Sequence, residues 1–409
     1  MTSTSDDVYV WVWLPGRTDP VPAGRLRARA PGGLWFQYGR RYLERPDAVA
    51  LAPTLPLERD AFSPTADLGM PGALRDGAPD AWGRRVILNA LTGRRGRDVD
   101  VMALDEATYL LRSGSDRWGA IDFQTSPSTY VSRSDTATLD ELQRAAQIVE
   151  SGEGLPASLA AAIVDGTTMG GARPKALLRD GERHYLAKFS TSSDPLPVVG
   201  AEAACLVLAR AVGIETPPSR VVSSLGRDVL LVERFDRPAP DARSMVVSAL
   251  TLSGLGEMTA RYGSYLDLLA SLREHGTDAG EDLFRRVAFN IVVSNTDDHL
   301  RNHAAFWDGA RLALTPAYDL SPMMRSGETA TQAIAYGPDG QRESNLASLR
   351  AVAHEYGLTR RQADDIVHGM VAGVRDGWEE AADAGRLTSA DRGALWGRQI
   401  LNPGALYGL

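Results

Sequence analysis

Lysine is almost missing from this chain: of its 44 basic residues only Lys175 and Lys188 are lysine, and the other 42 are arginine. Such a skew implies that replaceable surface cations have drifted to arginine, which makes the two exceptions informative. A compact ammonium suits a phosphate oxygen, whereas guanidinium is a larger planar fork; the competing reading is chance survival at two surface sites. Cysteine is reduced to Cys205, which excludes an internal disulfide and is too little for a cysteine-based zinc site. The first nine residues carry Asp6 and Asp7 where a secretory signal would be basic and then apolar, so no such signal is expected. No apolar run approaches the roughly 20 residues of a membrane helix. A basic excess is missing as well: the net charge of −8 excludes the whole surface as a nucleic-acid binder, though not a local patch. These absences point to a soluble, cytoplasmic protein with no membrane partner. Its 409 residues, 44% hydrophobic, suffice for a full core and two or three domains.

Residues 8–14 are dense in β-formers and end at Pro15-Gly16, predicting a strand and turn. Further strands are expected near 24–29, 34–38 and 48–51, giving a small β-rich module. Residues 70–91 read as partly helical, with Pro79-Asp80 as a helix start, and a helix is expected over 139–149. A β-hairpin is predicted from Ala176–Leu178 and Tyr185–Phe189, turning at Arg179-Asp180-Gly181, followed by a helix at 200–212 and strands at 219–224 and 229–233. Beyond Pro238 the pattern is mostly helical, at 263–275, 281–294, 344–356 and 360–383. The fold class expected is α+β and two-lobed: a β-rich N-terminal module (1–95), a connector (96–134), a mixed nucleotide-binding portion (135–238) and an all-helical catalytic lobe (239–409).

Three segments carry chemistry. In Thr167-Thr168-Met169-Gly170-Gly171-Ala172-Arg173-Pro174-Lys175, adjacent glycines let backbone N–H groups approach a polyanion and the lysine adds charge; the plainer reading is a Gly-Gly turn with a surface lysine. Lys188, on the second hairpin strand, is either a snorkelling edge cation or a buried charge with a partner. Glu202 in the next helix is a candidate partner, or else a solvated first-turn glutamate. The strongest segment is Asn295-Thr296-Asp297-Asp298-His299-Leu300-Arg301-Asn302: Asp297 and Asn302 have the Asp-x-x-x-x-Asn spacing of kinase catalytic loops, and Tyr318-Asp319-Leu320 follows where a second metal-binding carboxylate is needed. Asp298 is expected to face solvent. His299 and His303 lack a third ligand at zinc spacing. Finally, Val232-Glu233-Arg234-Phe235-Asp236-Arg237 lies where a connector could offer backbone and Phe235 to an adenine edge, or form an interdomain salt-bridge linker.

These blocks in this order resemble the HipA-like toxin kinases, the serine/threonine kinases of type II toxin–antitoxin modules. The resemblance includes Phe36-x-Tyr38, Tyr42-Leu43 and Pro79-Asp80-x-Trp82-Gly83 in the N-terminal module and 170–175, 232–237, 295–302 and 316–319 in the core. It implies ATP and Mg²⁺ as cofactors, Asp297 as catalytic base, Asn302 and Asp319 as metal ligands, and Lys188 as a phosphate contact. It further implies a phosphate loop of Gly170, Gly171, Ala172, Arg173, Pro174 and Lys175, an adenine-side hinge of Glu233, Arg234 and Phe235, and His299 and Tyr318 as nucleotide neighbours. The family's regulatory autophosphorylated serine is matched by Thr168, with Thr167 beside it. The partners implied are a protein substrate, aminoacyl-tRNA synthetases being among the family's targets, and a helix-turn-helix antitoxin through which DNA is met indirectly. Residues 245–254 depart from the acidic, glutamine-rich segment of the best-known members, which leaves the substrate open. Two other readings compete: a small-molecule kinase, and a nucleotide-binding corepressor acting mainly with an antitoxin on DNA.

Overall fold

The computed structural model describes residues 7–30, 32–92, 100, 104–133, 137–156, 159, 163–164, 173–191, 194 and 196–409. Thr167, Thr168, Gly170, Gly171 and Ala172 lie outside the described residues. No helix among those described is long and apolar enough to cross a membrane.

Among the described residues the strands form three sheets. The first has the order β3-β2-β1-β4, built from β1 (Asp7–Val12), β2 (Val21–Ala28), β3 (Leu34–Tyr38) and β4 (Ile121–Gln124), all paired antiparallel. Strand β4 lies within the stretch expected to be a connector and closes the first sheet against β1, a pairing across more than a hundred residues that local patterning cannot show. Residues 48–51, expected as a strand, form none. The second sheet, β5-β6-β8-β7, contains the predicted hairpin of β5 (Lys175–Asp180) and β6 (Arg183–Phe189), followed by β7 (Ser219–Ser224) and β8 (Arg227–Glu233). Alternation along β6 buries Tyr185, Ala187 and Phe189 in a core with Val229 and Leu231, as a half-buried strand should.

The lobe after residue 238 is largely helical but not wholly so. A three-stranded sheet joins β9 (Val246–Ser248), β10 (Ala304–Trp307) and β11 (Leu312–Leu314), which corrects the all-helical expectation. Each strand is only three or four residues long, too short for a readable period of two.

Four helices matter for the site: α1 (Ala81–Thr92), α2 (Val198–Ala211), α3 (Gly280–Val292) and α4 (Arg360–Ala384). Helix α2 is apolar on nearly every side, the pattern of a helix enclosed by protein. Gly200 in its first turn meets Gly385, just past α4, so closely that a Cβ on Gly200 would lie 2.5 Å from the Gly385 carbonyl oxygen. Only glycine fits that approach, and it pins helix α2 to the residue that follows α4.

Candidate functional site

Lys188 projects from β6 into a pair of carboxylates. Its Nζ donates to Glu202 Oε1 at 2.6 Å and to Asp319 Oδ1 at 2.7 Å, drawing together the second sheet, helix α2 and the segment after β11. Burial works against the ammonium, but Asp319 and Glu202 outweigh it and raise the lysine's pKa above its ordinary value. Asp319 is held down to about 2: burial opposes its charge, and Lys188 overrides burial. Burial raises Glu202, which is 4% exposed, in spite of the same lysine. Of the two readings open for each residue, Lys188 is the buried charge with a partner and Glu202 is that partner. Asp319 has φ +59°, a left-handed conformation that costs a non-glycine residue about 1 kcal/mol or more and is concentrated at functional positions.

Helix α3 delivers the Asn295–Asn302 loop, and a second left-handed residue, Ser294 (φ +54°), makes the break between them. The loop is braced from inside. Asn295 donates through Nδ2 to Asn290 Oδ1 at 3.0 Å, and Gln332 Nε2 donates to the Asn295 carbonyl at 2.9 Å. Asn302 donates from Nδ2 to the Asp297 carbonyl at 3.1 Å, closing the five-residue span on itself. That bond uses the amide nitrogen of Asn302 and leaves its Oδ1 as a hard oxygen donor. The Asp297 carboxylate is exposed. Asn302, Asp297 and Asp319 thus present oxygen atoms, the ligand type Mg²⁺ takes. Among the described residues no cluster of three or more His, Cys, Asp or Glu side chains is arranged for a metal. His299 is half-buried, and its Nδ1 is buried without a hydrogen-bond partner.

Asp298, expected to face solvent, is 1% exposed. The alternation of exposure at this turn sends Asp297 out and its neighbour in. Asp298 Oδ2 accepts from the Tyr265 hydroxyl and from Asn290 Nδ2 at 2.8 Å, while Oδ1 finds no partner. Burial pushes its pKa up to about 7, and burial also lowers neighbouring His303 to about 3. The two act in opposite directions on stability. The raised carboxyl stabilises below its unfolded pKa of about 4, and this is lost as pH climbs to about 7; the lowered imidazole loses its contribution as pH falls from about 6.5 to about 3. Asp298→Asn isolates the first contribution. The stability of this variant relative to the parent should therefore rise between pH 4 and pH 7, by roughly 4 kcal/mol at most. Parallel denaturant titrations across that range check it; a flat difference contradicts it.

The second lysine has a different neighbourhood. Lys175 opens β5 directly opposite Lys188 in the hairpin register, and its Nζ lies 2.9 Å from Asp80 Oδ2, with both side chains more than 90% buried. Asp80 also accepts from the Gly83 amide at 2.6 Å, at the start of α1, and Trp82 Nε1 donates to the Lys175 carbonyl at 3.1 Å. The Pro79-Asp80-x-Trp82-Gly83 motif is therefore a clasp on the first residue of β5, and Lys175 presents its charge to Asp80. Arg173 pairs with Asp194 at 2.8 Å, and the Pro174 carbonyl accepts from the Phe189 amide at 3.1 Å.

The hinge residues also divide. Glu233 Oε2 meets Arg183 at 3.2 Å on the surface. Arg234 is buried, and its guanidinium is committed to Asp116 (2.8 Å), Asp236 (2.8 Å) and the Arg117 carbonyl (2.6 Å). Arg237 joins the same cluster, 2.7 Å from Asp116. Burial would raise the pKa of Asp116, but Arg234 and Arg237 hold it well below the usual carboxylate range. This is the interdomain salt-bridge reading, and it is compatible with a hinge because Phe235, between the two arginines, points elsewhere. It joins Tyr318 at 5.8 Å between centroids, and the Tyr318 hydroxyl donates to the Arg301 carbonyl at 2.8 Å. Sequence reading missed Asp80, Asp116 and the Tyr265–Asn290–Asp298 group as parts of the site. The survival of lysine at position 175 was a usable signal, since a compact ammonium fills a tight carboxylate niche.

The chain matches two family models: the HipA-like C-terminal domain over residues 167–378 and the HipA N-terminal domain over residues 12–124. Among curated relatives, the candidate kinase Y4mE of Sinorhizobium fredii is 25% identical, covering 91% of this chain and 92% of that protein. Toxin YjjJ of Escherichia coli is 28% identical over 42% of each. Among solved structures, the fold is similar to that of HipA from Shewanella oneidensis, solved with HipB and operator DNA: the TM-score is 0.68 at 19% identity, over 92% of both chains.

Proposed function

This chain belongs to the HipA family, and on that premise we propose that it is an ATP-dependent serine/threonine protein kinase acting as the toxin of a toxin–antitoxin module. The observation that carries the reading is the double ion pair of Lys188 with Glu202 and Asp319, beside a loop that closes Asn302 onto Asp297. A kinase needs a lysine fixed by a helix glutamate, a metal-binding aspartate, and a base and second metal ligand on one rigid loop. Lys188 meets the nucleotide phosphates, and the exposed Asp297 orients and deprotonates the attacking hydroxyl. Asn302 and Asp319 would hold Mg²⁺, which when bound would supply positive charge against the phosphates. Glu233 to Phe235 border the base, with Tyr318 and His299 near the nucleotide; the orphaned Nδ1 of His299 supports a polar contact there. Positioning and electrostatics supply most of the acceleration.

The protein target is a cytoplasmic one of the aminoacyl-tRNA synthetase kind, and the partner a helix-turn-helix antitoxin that brings the complex to DNA. Gly170 to Ala172 belong to the phosphate loop, and Thr168 or Thr167 takes an inactivating phosphate. Phosphopeptide mapping of ATP-incubated protein should find that phosphate, and its absence from both threonines would remove the regulatory step. The main test incubates parent and Asp297→Ala protein with labelled ATP, Mg²⁺ and host lysate. Labelled proteins above the variant's background are expected; equal labelling would sink the active-kinase reading. Acceptors of low molecular weight alone would redirect it to small-molecule phosphorylation.

A further inference from the structure

The segment leading into β4 of the first sheet contributes one ring to an aromatic cluster beside Asp319. Trp118, three residues ahead of β4, sets its ring 5.3 Å from Phe235 at 83° and 5.5 Å from Tyr318 at 60°. Phe306 backs Phe235 at 5.7 Å, again edge-on. In each edge-to-face contact one ring's rim meets one π-face of its neighbour, so a single contact covers at most one face of a ring. All four rings are half-buried, unlike Trp82, which is 2% exposed and serves only as core and clasp. Tyr318 is the chain neighbour of Asp319, so the ring cluster lies next to the carboxylate that grips Lys188.

The position of Trp118 is determined from the hinge. The Arg117 carbonyl accepts from Arg234 and Arg237, the Gly119 amide donates to Asp236 Oδ2 at 2.8 Å, and the Gly119 carbonyl accepts from Arg237 Nη1 at 3.0 Å. The charged residues that hold it, Arg234, Asp236 and Arg237, are buried or half-buried and paired with one another or with Asp116. Gly119 adopts φ +70°, where its backbone lies against Val246. The backbone on both sides of the indole is thus fixed by hinge residues, while the half-buried ring itself keeps part of its surface open.

We propose that Trp118 is a nucleotide-binding residue: with Phe235 and Tyr318 it forms the wall on which the purine base stacks, so the N-terminal module is part of the nucleotide site itself. This rests on the kinase reading above. Stacking of a base on an aromatic ring is worth about 1–3 kcal/mol by alanine substitution, so Trp118→Ala should weaken ATP binding about 5- to 150-fold.

The test measures binding of ATP and of inorganic tripolyphosphate to the full chain by calorimetry, with Mg²⁺ present. Tripolyphosphate carries the phosphates without the base. Support is a loss of ATP affinity in Trp118→Ala with tripolyphosphate binding retained, and near-parent ATP affinity in Trp118→Phe, which keeps an aromatic face. ATP should also quench tryptophan fluorescence in the parent, and that quench should shrink in Trp118→Phe although binding persists. Unchanged ATP affinity in Trp118→Ala overturns the proposal, and so does equal weakening toward both ligands, which would mark a structural role. If the parent binds tripolyphosphate and ATP equally, the base has no site and the proposal fails while a phosphate site stands. If the parent binds neither, the kinase reading fails with it. Should Trp118→Ala not fold, the fluorescence and affinity of Trp118→Phe decide: an undiminished quench overturns the proposal.

Discussion

Lys188→Met is expected to cut phosphoryl transfer by about 100- to 1,000-fold, the range found when a preorganised donor is removed from a site of developing charge. Among the described residues, the lysine is the single cation bonded to both Glu202 and Asp319, at 2.6 and 2.7 Å. Without it β6 offers no ammonium for the proposed phosphate contact, and Asp319 loses the partner that holds its pKa at about 2. The fold should survive, because Glu202 is already biased by burial toward its neutral form and can take up a proton where it stands. Lys188→Arg keeps the charge but not the shape: a planar fork with its charge spread over three nitrogens cannot sit between two carboxylates and a phosphate as a point donor can, so turnover should fall nearly as far. Steady-state transfer of label from ATP, alongside thermal melts of each variant, checks both. Activity within about threefold of the parent in Lys188→Met would contradict the assignment made on electrostatic grounds.

Asp80→Ala should lower folding stability by about 3–5 kcal/mol, the cost of breaking a buried ion pair from one side. Lys175 is 4% exposed, and after the substitution its ammonium would lack its 2.9 Å carboxylate while lying directly across the ladder from Lys188. Like charges in directly opposed positions are unfavourable even on a solvated sheet. Replacing both partners, as Asp80→Leu with Lys175→Met, should recover much of the loss, since the buried ion pair is then removed from both sides. Denaturant unfolding of the single and double variants decides. If Asp80→Ala costs less than about 1 kcal/mol, in the range of a surface pair, the clasp contributes little to the fold.

Much of the chemistry could be read along the chain because it is local there. The Asp297-to-Asn302 spacing is one loop, Lys188 is one strand of a hairpin, and Tyr318-Asp319 is one turn. The guess that Glu202 pairs with Lys188 worked for a similar reason: only 14 residues separate a strand from the helix packed beside it. What could not be read depends on distant pairings or on the direction of a side chain. Adjacent aspartates at 297 and 298 are chemically identical on paper, and only the turn after Ser294 decides which one faces water. Lys175 looked like a phosphate ligand because its partner, Asp80, is 95 residues away. Arg234 looked like part of a nucleotide edge, yet its charge goes to Asp116, 118 residues earlier. The short strands β4 and β9 to β11 were hidden for the same reason, since three or four residues acquire strand character only from the neighbours they meet.

Those distant pairings also impose an order in time. Asp76, Asp80 and Asp116 all lie early in the chain, and their partners Ser248, Lys175 and Arg234 come 172, 95 and 118 residues later. At a synthesis rate of about 5–20 residues per second, each carboxylate waits roughly 5 to 35 s on the ribosome before its counterpart exists. During that interval the first strands can pair, but these three attachments of the opening module to later residues cannot form. The nascent protein therefore emerges with these acidic contacts hydrated, and they close only once residues 175, 234 and 248 have been made.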